Sequence, residues 1–485
     1  MVAAGLVTPS AAGALTSHAL RTAVADTAPY VGPEMDLAFA HTRAAGATAV
    51  RLFIGWRDIA PQAPRKPAGF NPANPGDPHY NWAILDAEVR SAVRNGLDPI
   101  LSIFDAPTWA QHGSASSFGR EAPFVDGGVR PDPREYGLFA SAVAKRYGGH
   151  YAGLPRVRYW QAWNEPSLFS FLVPQYNTPF SSPVTTASRP VSPQIYAPLV
   201  NAFAASVHRV HRDNLVIAGG LPPFGRFGAF DHGVPPLFFM RQLLCLTNRD
   251  RPQPGCHRRL HFDVWGQDPY TGGGPQHRAS VPGNVSIGNL PQVSRTLAAA
   301  VRAGRIVSNG PVRFWVLEFA WNTNPPFSQG VPINLHGRWV AEALYRMWLD
   351  GVSLVTWFQL RDDAFYQTGG HFQSGLFFRC TDGLSCDQPK PAFTAFRFPF
   401  VAYRSGGRIL VWGRTPASRR GTAIVQQQSG SNWVTLRNLR TDRFGIFTAR
   451  LPARGGGDLR AVFGSSISLP FSLIRPPDRI VNPAL

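Results

Sequence analysis

Short apolar runs alternate along the chain with longer segments in which apolar residues recur every three or four positions, from about residue 21 to residue 402. The short runs are typical of buried β-strands, and the longer segments are typical of amphipathic helices. The pattern predicts eight strands, at 21–25, 49–54, 99–104, 157–163, 215–219, 262–266, 313–317 and 354–358. A parallel sheet built from repeated strand–helix units favours a closed (β/α)8 barrel.

Helices are predicted between these strands, and two of them end at a glycine. Their ranges are 81–94, 135–146, 195–212, 290–303 and 337–349. Gly96 and Gly351 follow two of these segments, at the position where a helix commonly ends. An open, doubly wound sheet would carry a glycine-rich phosphate-binding turn after its first strand. The sequence has no such turn there, so the closed barrel is the preferred prediction.

Beyond residue 403 the helical period is lost, and short strands alternate with polar turns. Strands are predicted at 408–412, 422–427, 433–436, 446–450, 459–463 and 469–473. This part resembles the immunoglobulin-like repeats of exported proteins, which implies a small antiparallel β-sandwich. We therefore predict three parts: residues 1–19 as a leader or flexible N-terminus, 20–402 as the catalytic barrel, and 403–485 as the β-sandwich and tail.

The composition describes a globular protein with a strong positive charge. Hydrophobic residues make up 44% of the chain and charged residues 16%, and the formal net charge is +19. Nearly all the positive charge is arginine spread along the whole chain, which indicates solvated surface charge rather than a nucleic-acid site. Association with acidic glycans or a cell surface stays open. No apolar run is long enough to span a bilayer.

The four cysteines form two close pairs, Cys245 with Cys256 and Cys380 with Cys386, each within a loop-like stretch. We predict two local disulfides, because neither pair has the spacing or the histidines of a zinc site. Disulfides favour a secreted protein. The small residues of segment 1–19 are compatible with a truncated signal peptide, but a basic start is lacking, so an ordinary flexible terminus stays open.

Two glutamates follow predicted strands directly. Glu165 lies in the motif Trp-Asn-Glu-Pro after the fourth strand, and Glu318 follows the seventh. Barrel enzymes carry their chemistry at the C-terminal ends of the strands, and strands four and seven face each other across the mouth. Retaining glycoside hydrolysis needs two carboxyl groups about 5 to 5.5 Å apart. The pair therefore predicts a glycosidase.

This arrangement resembles the retaining glycoside hydrolases of clan A, the 4/7 superfamily that includes the cellulase-like family 5 and family 39. The resemblance covers roughly residues 21–398. It implies that Glu165 is the acid/base, that Asn164 binds the sugar 2-hydroxyl and that Glu318 is the nucleophile. It also implies a carbohydrate substrate and no cofactor or metal.

Three further residues match the clan by type and place. The resemblance implies that Arg51, on the second strand, keeps the nucleophile ionised, that Tyr270 donates its hydroxyl to Glu318, and that Trp357 forms an aromatic floor under the sugar. Asp268 stands where the clan often has histidine in a His-Pro-Tyr sequence, so the sugar contact of that histidine is in doubt here.

Other side chains after strand ends are candidates for substrate binding. The aromatic ones are Trp56, Trp109, Trp163, Trp321 and Phe358. Aromatic residues at a barrel rim also fill the core, so both roles stay open. Asp105 could bind a sugar hydroxyl or cap its own loop. The long segment 167–193, directly after the acid/base motif, is predicted to wall the substrate cleft.

Three rival functions remain at this level. A transglycosylase would use the same residues, and a non-catalytic barrel would bind glycans without cleaving them. An arginine-rich protein that binds anionic surfaces is the third.

Overall fold

The computed structural model describes residues 18–113, 127–177, 188–225, 233–364, 372–453, 455–476 and 478–481. Eight parallel strands close into a barrel in which each strand pairs with its neighbours in sequence and the first pairs with the last. These strands are β1 Arg21–Ala25, β2 Ala49–Gly55, β3 Asp98–Phe104, β4 Tyr159–Ala162, β5 Leu215–Leu221, β6 Val264–Gln267, β7 Arg313–Val316 and β8 Val352–Phe358. The predicted barrel is confirmed.

Helices connect the strands and cover the outside of the barrel. They are α1 Met35–Ala44, α2 Trp56–Ile59, α3 Ala83–Arg94, α4 Pro133–Arg146, α5 Ser192–Val210, α6 Pro236–Leu243, α7 Leu290–Arg302, α8 Ile333–Leu349 and α9 Pro391–Arg397. Gly96 and Gly351 follow α3 and α8 with φ angles of 69° and 87°. A side chain would be strained in this left-handed conformation, so glycine ends both helices, as the sequence predicts.

Smaller elements complete the connections. Short 3-10 turns occupy Ala28–Tyr30, Thr108–Ala110, Ile287–Asn289, Leu384–Cys386 and Pro416–Ser418. Two-residue strands pair as Leu260–His261 with Ile306–Val307, Thr323–Asn324 with Val331–Pro332, and Phe377–Phe378 with Gln388–Pro389.

The inward side chains of the barrel form layers, because alternate residues of a strand point to the same face. An apolar cluster fills the interior; its members are Ala23, Ala49, Ile100, Tyr159, Leu215, Ile217, Val264, Trp315, Leu317 and Leu354. Two residues beyond members of this cluster, Arg51, Ser102 and Gln161 form a buried polar layer. A further two residues along β2 and β3, Phe53 and Phe104 reach the rim at the C-terminal ends of the strands.

Two antiparallel sheets follow the barrel. Their strands are β9 Phe400–Ser405, β10 Arg408–Arg414, β11 Thr422–Ser429, β12 Asn432–Arg440, β13 Ile446–Pro452, β14 Leu459–Phe463 and β15 Ser466–Ile467. One sheet has the order β9-β10-β13, and the other has the order β12-β11-β14-β15. The predicted all-β character of this part is confirmed, whereas an immunoglobulin-like arrangement stays a prediction.

The ends of the all-β part differ from the sequence prediction. The predicted strand at 469–473 is wrong, since Phe471 makes only an isolated bridge to Leu459. Strand β9 was missed because its buried start, from Phe400, continues the apolar character of the preceding barrel segment. It spans the proposed domain boundary at 402/403. The predicted leader, residues 1–19, lies outside the described residues except for its last two.

The all-β part packs on the N-terminal side of the barrel and on α8. Arg414 on β10 is buried, and its guanidinium donates to the carbonyl oxygens of Leu20 and Phe396, both at 3.0 Å. Trp412 on the same strand packs against Tyr345 and Trp348 of α8, with ring centroids 5.3 and 5.6 Å apart. These contacts make the sheets a support for the barrel.

Both cysteine pairs are bonded in the structure. Cys245 and Cys256 join across the loop after α6, and Cys380 and Cys386 join across the loop after β8. The two predicted pairings are therefore present. Among the described residues, no helix combines the length and the apolar character needed to cross a membrane.

Candidate active site

A cavity of about 470 Å³ opens at the C-terminal ends of the barrel strands. Every one of the eight strands or the loop after it contributes a side chain to its wall. The lining residues are Thr27, Phe53, Phe104, Asn164, Glu165, Leu168, Phe171, Pro223, Phe224, Tyr270, Glu318, Phe358 and Phe372. We call this cavity the cleft. It brings together both glutamates predicted from the sequence, with Asn164 and Tyr270 beside them.

Arg51 connects the polar residues beneath the cleft. Its Nη1 donates to Oε1 of Glu318 at 2.5 Å, and its Nη2 donates to Oδ1 of Asn164 at 2.6 Å. Nε donates to Oε1 of Gln161 at 2.8 Å, and Nη2 also reaches Oγ of Ser102 at 3.2 Å. Arg51 is fully buried, so its charge is compensated by Glu318 and its donors are satisfied by fixed partners. The guanidinium therefore fixes the orientation of Glu318 and Asn164 together.

Tyr270 supplies the second hydrogen bond to Glu318. Its hydroxyl donates to Oε2 at 2.8 Å, so each carboxylate oxygen of Glu318 has its own donor. Burial raises the pKa of Tyr270 well above its ordinary value, and the negative charge of Glu318 is the second largest cause of this shift. The phenol therefore keeps its proton and acts as a donor.

Glu165 lies on a tight turn directly after β4. Trp163 and Glu165 both have positive φ angles, 71° and 38°, which are uncommon for residues with side chains. The turn is held by Trp163, whose backbone N–H donates to the carbonyl of Ile103 and whose indole donates to the carbonyl of Phe171, both at 2.9 Å. Backbone strain of this kind clusters at functional sites.

The surroundings of Glu165 favour its protonated form. Its removal from water is the largest cause that raises the pKa of this carboxyl well above the ordinary value. The negative charge of Glu318 is the second cause, Asp268 contributes further, and the positive charge of Arg51 opposes them. Two carboxyl groups that share a cleft thus have different environments, which is how one site can hold an acid and a carboxylate.

Asp268, which occupies the position of the family's histidine, is fully buried and lies outside the cleft lining. Burial and then the charge of Glu318 raise the pKa of its carboxyl well above the ordinary value. The structure accordingly gives no support to a sugar contact at this position.

Phe358, rather than the predicted Trp357, is the aromatic residue of β8 that faces the cleft. Trp357 is fully buried on the helix-facing side of β8, and its indole donates to the carbonyl of Ser374 at 2.8 Å. The next residue, Phe358, lines the cleft. Neighbouring residues of a strand point to opposite faces, so a prediction shifted by one position selects the wrong face.

The other predicted tryptophans also lie outside the cleft lining. Trp56 is fully buried against Phe139 at 5.4 Å between ring centroids, and Trp321 is 4% exposed and donates to the carbonyl of Thr271. Trp109 is partly exposed and donates to the carbonyl of Pro61. These indoles fill the space between the barrel and its loops. Their positions agree with the alternative role, in which aromatic residues at a barrel rim fill the core.

Asp105 is likewise directed elsewhere. Its Oδ1 lies 3.7 Å from Nη1 of Arg57, and the residue has a positive φ of 64°. Arg57 also donates its backbone N–H to the carbonyl of Asp105 at 2.9 Å. Asp105 therefore holds the loop after β3 rather than lining the cleft.

Sequence reasoning missed the apolar wall of the cleft and the polar layer beneath it. Ser102, Gln161, Phe53 and Phe104 were not singled out, although each stands an even number of residues from an interior residue of its own strand. The alternation of side-chain direction along a strand could therefore have indicated that these four residues point into the barrel. Leu168, Phe171, Pro223 and Phe224 follow strands β4 and β5 in irregular loops, where no period indicates direction. Of the predicted wall 167–193, residues 178–187 lie outside the described part.

The arrangement contains the types of group that glycosyl transfer uses. A group that can donate a proton and a carboxylate held by two donors line the same cleft, which is the requirement for acid-assisted cleavage of a glycosidic bond. A carboxylate oriented in this way can also form a covalent bond to carbon.

No family model and no curated protein sequence matches the chain. Solved structures with similar folds include a family 39 glycoside hydrolase from the gut symbiont Bacteroides cellulosilyticus, at 16% identity and a TM-score of 0.50 over 90% of this chain and 79% of that one. A family 39 enzyme from Xanthomonas axonopodis pv. citri follows at 14% and 0.49, over 90% and 92% of the two chains. At 16% identity, the likeness to the first shows the fold, which is the fold that the clan resemblance implied.

Proposed function

We propose that the protein is a retaining glycoside hydrolase that cleaves O-glycosidic bonds by double displacement. The observation that carries the proposal is the contrast between the two glutamates of the cleft. Glu318 accepts hydrogen bonds from Arg51 at 2.5 Å and Tyr270 at 2.8 Å, whereas burial and the charge of Glu318 raise the pKa of Glu165. The similarly folded Bacteroides structure is a family 39 glycoside hydrolase, which is consistent with this chemistry.

In the first step, Glu165 gives its proton to the glycosidic oxygen while a carboxylate oxygen of Glu318 bonds to the anomeric carbon. The bond between that carbon and the leaving oxygen breaks, and the aglycone departs as an alcohol. Arg51 and Tyr270 hold the attacking carboxylate in place, so little orientation has to be achieved during the reaction. Asn164, fixed by Arg51, lies beside Glu165 in the lining and has an amide N–H₂ group that can bind a sugar hydroxyl.

In the second step, Glu165 is a carboxylate and takes a proton from water. The water oxygen bonds to the anomeric carbon, and the bond to Glu318 breaks. Two inversions at the same carbon give net retention. A sugar acceptor in place of water would make the enzyme a transglycosylase with the same residues, and product analysis with added acceptor distinguishes the two outcomes.

The test uses one variant of each glutamate with aryl glycosides of several sugars. We expect Glu318→Ala to lose turnover on every glycoside, because the covalent intermediate cannot form, and added azide to yield a glycosyl azide of inverted configuration. We expect Glu165→Ala to slow substrates with poor leaving groups by roughly 10²- to 10⁴-fold but to spare dinitrophenyl glycosides in the first step. Azide should then give the retained product.

Glu135→Gln is the matched control, since Glu135 lies on α4 and pairs with Lys66 away from the cleft. We expect wild-type rates from it. If the wild-type protein hydrolyses no aryl glycoside but still binds sugars, the glycan-binding barrel is the better assignment. If the first product has inverted configuration, the double-displacement mechanism is excluded.

A further inference from the structure

We propose that the leaving group of the natural substrate is an apolar aglycone rather than a second sugar. This inference rests on the proposed function and specifies the substrate class of the same cleft. It follows from where the proton donor lies and from which side chains surround it.

The proton donor fixes which side of the cleft receives the leaving group. Glu165 must lie next to the glycosidic oxygen that it protonates, and the aglycone is attached to that oxygen. Glu165 follows β4, whose neighbours in the barrel are β3 and β5. The leaving group therefore lies against the side chains that come from the ends of these three strands.

Five described residues line the cleft on that side apart from the catalytic motif itself, and all five are apolar. They are Phe104 at the end of β3, Leu168 and Phe171 after β4, and Pro223 and Phe224 after β5. The polar lining residues other than Glu165 and Asn164 are Thr27, Tyr270 and Glu318, which come from β1, β6 and β7 on the opposite side. Phe53, Phe358 and Phe372 also line that opposite side, so its lining is mixed. The side formed by the ends of β3, β4 and β5 has no polar lining side chain among the described residues apart from the motif itself, and we call it the apolar half.

A second sugar would be poorly accommodated in the apolar half. A sugar ring can stack on an aromatic side chain, but its hydroxyl groups point outward and need partners at the edge of the ring. Hydroxyl groups that lose water without gaining a hydrogen bond are destabilising. The side chains of the apolar half cannot form hydrogen bonds with these hydroxyl groups. An aromatic or aliphatic aglycone would instead bind more tightly there, because its apolar surface is removed from water.

The apolar surface is a preformed wall. The rings of Phe104 and Phe171 pack edge to face with centroids 5.8 Å apart, yet each remains partly exposed. Leu168 and Phe224 are also partly exposed. Four partly exposed apolar side chains around one proton donor form a surface that an apolar group can cover without a rearrangement of the core.

The test compares alkyl leaving groups of similar acidity on one sugar, with a second sugar as the polar reference. A panel of aryl glycosides first identifies the sugar that is hydrolysed; methyl, butyl and octyl glycosides of that sugar, below their micelle concentrations, are then compared with its disaccharide. We expect kcat/KM to rise about threefold to fourfold for each added CH₂ group until the apolar half is filled. The octyl glycoside should exceed the disaccharide.

Variants locate the effect in the apolar half. We expect Phe104→Ala and Phe171→Ala to lower kcat/KM for the octyl glycoside by more than tenfold and for the methyl glycoside by less than threefold. Phe444→Ala is the matched control, since Phe444 is also partly exposed but lies between β12 and β13 in the all-β part. It should leave both rates at the wild-type values.

The outcomes separate this inference from the proposed function. An active enzyme whose rates are flat along the alkyl series, or highest for the disaccharide, would overturn the apolar aglycone and leave the glycosidase intact. A protein that hydrolyses no glycoside of the panel would remove the proposed function and, with it, this inference.

Discussion

A single arginine organises the polar residues beneath the cleft. Arg51 contacts Glu318, Asn164, Gln161 and Ser102 at once, and it has no exposed surface. A lysine could not replace it, because one ammonium group lacks the planar set of donors that reaches four partners in fixed directions. The positions of Glu318 and Asn164 are therefore coupled through one side chain.

Tyr270→Phe tests the second donor to Glu318. The variant removes one hydrogen bond of 2.8 Å and keeps the ring. We expect kcat to fall about tenfold to a hundredfold with little change in thermal stability, because the hydroxyl positions the carboxyl group of Glu318 and its loss leaves the fold intact. Steady-state kinetics and a melting curve measure the two effects. A fall in Tm with unchanged kcat would assign the tyrosine a structural role.

The pH profile tests the state of Glu165. Its pKa is raised in the folded protein, so the carboxyl stays protonated above the ordinary range and activity should fall as the pH rises through this raised pKa. We expect kcat/KM for an alkyl glycoside to show an alkaline limb. Glu165→Gln, assayed with a dinitrophenyl glycoside that needs no proton, should lack that limb. Persistence of the limb in this variant would assign it to another group.

At the scale of the elements, the strands were predictable and the direction of single side chains was not. Short apolar runs placed all eight barrel strands within a few residues of their observed bounds. The period of two along a strand also implies that Arg51 and Phe53 share a face. The clan resemblance nevertheless assigned the aromatic floor to Trp357, while Phe358 stayed an open candidate, because the strand register was not used to choose between them.

The loops could not be derived in the same way. Phe171 and Phe224 line the cleft through irregular backbone, whose course depends on contacts between distant segments. The turn at Glu165 also has no local signal beyond the motif itself, since the hydrogen bonds that hold it run from Trp163 to Ile103 and Phe171. Long-range packing therefore decided the part of the site that sequence reasoning missed.

A buried carboxyl on α3 gives a prediction for stability. Burial raises the pKa of Glu88 to about 7. The protonated side chain is compatible with burial, so the stability that it contributes is fully present below the ordinary pKa. This stability is lost as the pH rises through 7 and the carboxyl ionises. We expect Glu88→Gln to raise the free energy of unfolding at pH 8 by up to about 3 kcal/mol and to have little effect at pH 5. Denaturant titrations at both pH values measure the difference.

Glu135→Gln is the control for this comparison. Its side chain pairs with Lys66 near the surface, so its replacement should change stability by a similar small amount at pH 5 and pH 8. An equal gain from Glu88→Gln at the two pH values would show that packing, rather than ionisation, causes its effect.

At the scale of the whole molecule, the all-β part and the barrel share a buried interface. Arg414 donates to carbonyl oxygens of the barrel, and its burial lowers its pKa to about 10. The aromatic contacts of Trp412 with α8 add apolar area beside it. Glu165 and Glu318 lie at the opposite ends of the strands from Leu20, which immediately precedes β1. The all-β part therefore acts on stability, while the cleft belongs to the barrel.

Arg414→Ala tests this interface. We expect the free energy of unfolding to fall by about 3 kcal/mol, because several buried hydrogen bonds are lost and their carbonyl partners remain buried. Activity of the folded fraction should be unchanged. Arg408→Ala, at the exposed start of the same strand, should have almost no effect. If Arg414→Ala and Arg408→Ala had the same free energy of unfolding, the interface around Arg414 would not contribute to stability.

The layered interior of the barrel has a consequence for evolution. The apolar cluster fills the interior, the polar layer orients Glu318, and the rim lines the cleft, so each task falls to a different depth along the same strands. Mutations at Phe53, Phe104 or Phe358 should then change which molecules enter without disturbing Arg51, Glu165 and Glu318. A lineage could exchange substrates through rim positions alone, and a laboratory library confined to those positions should yield altered specificity at little loss of folded protein.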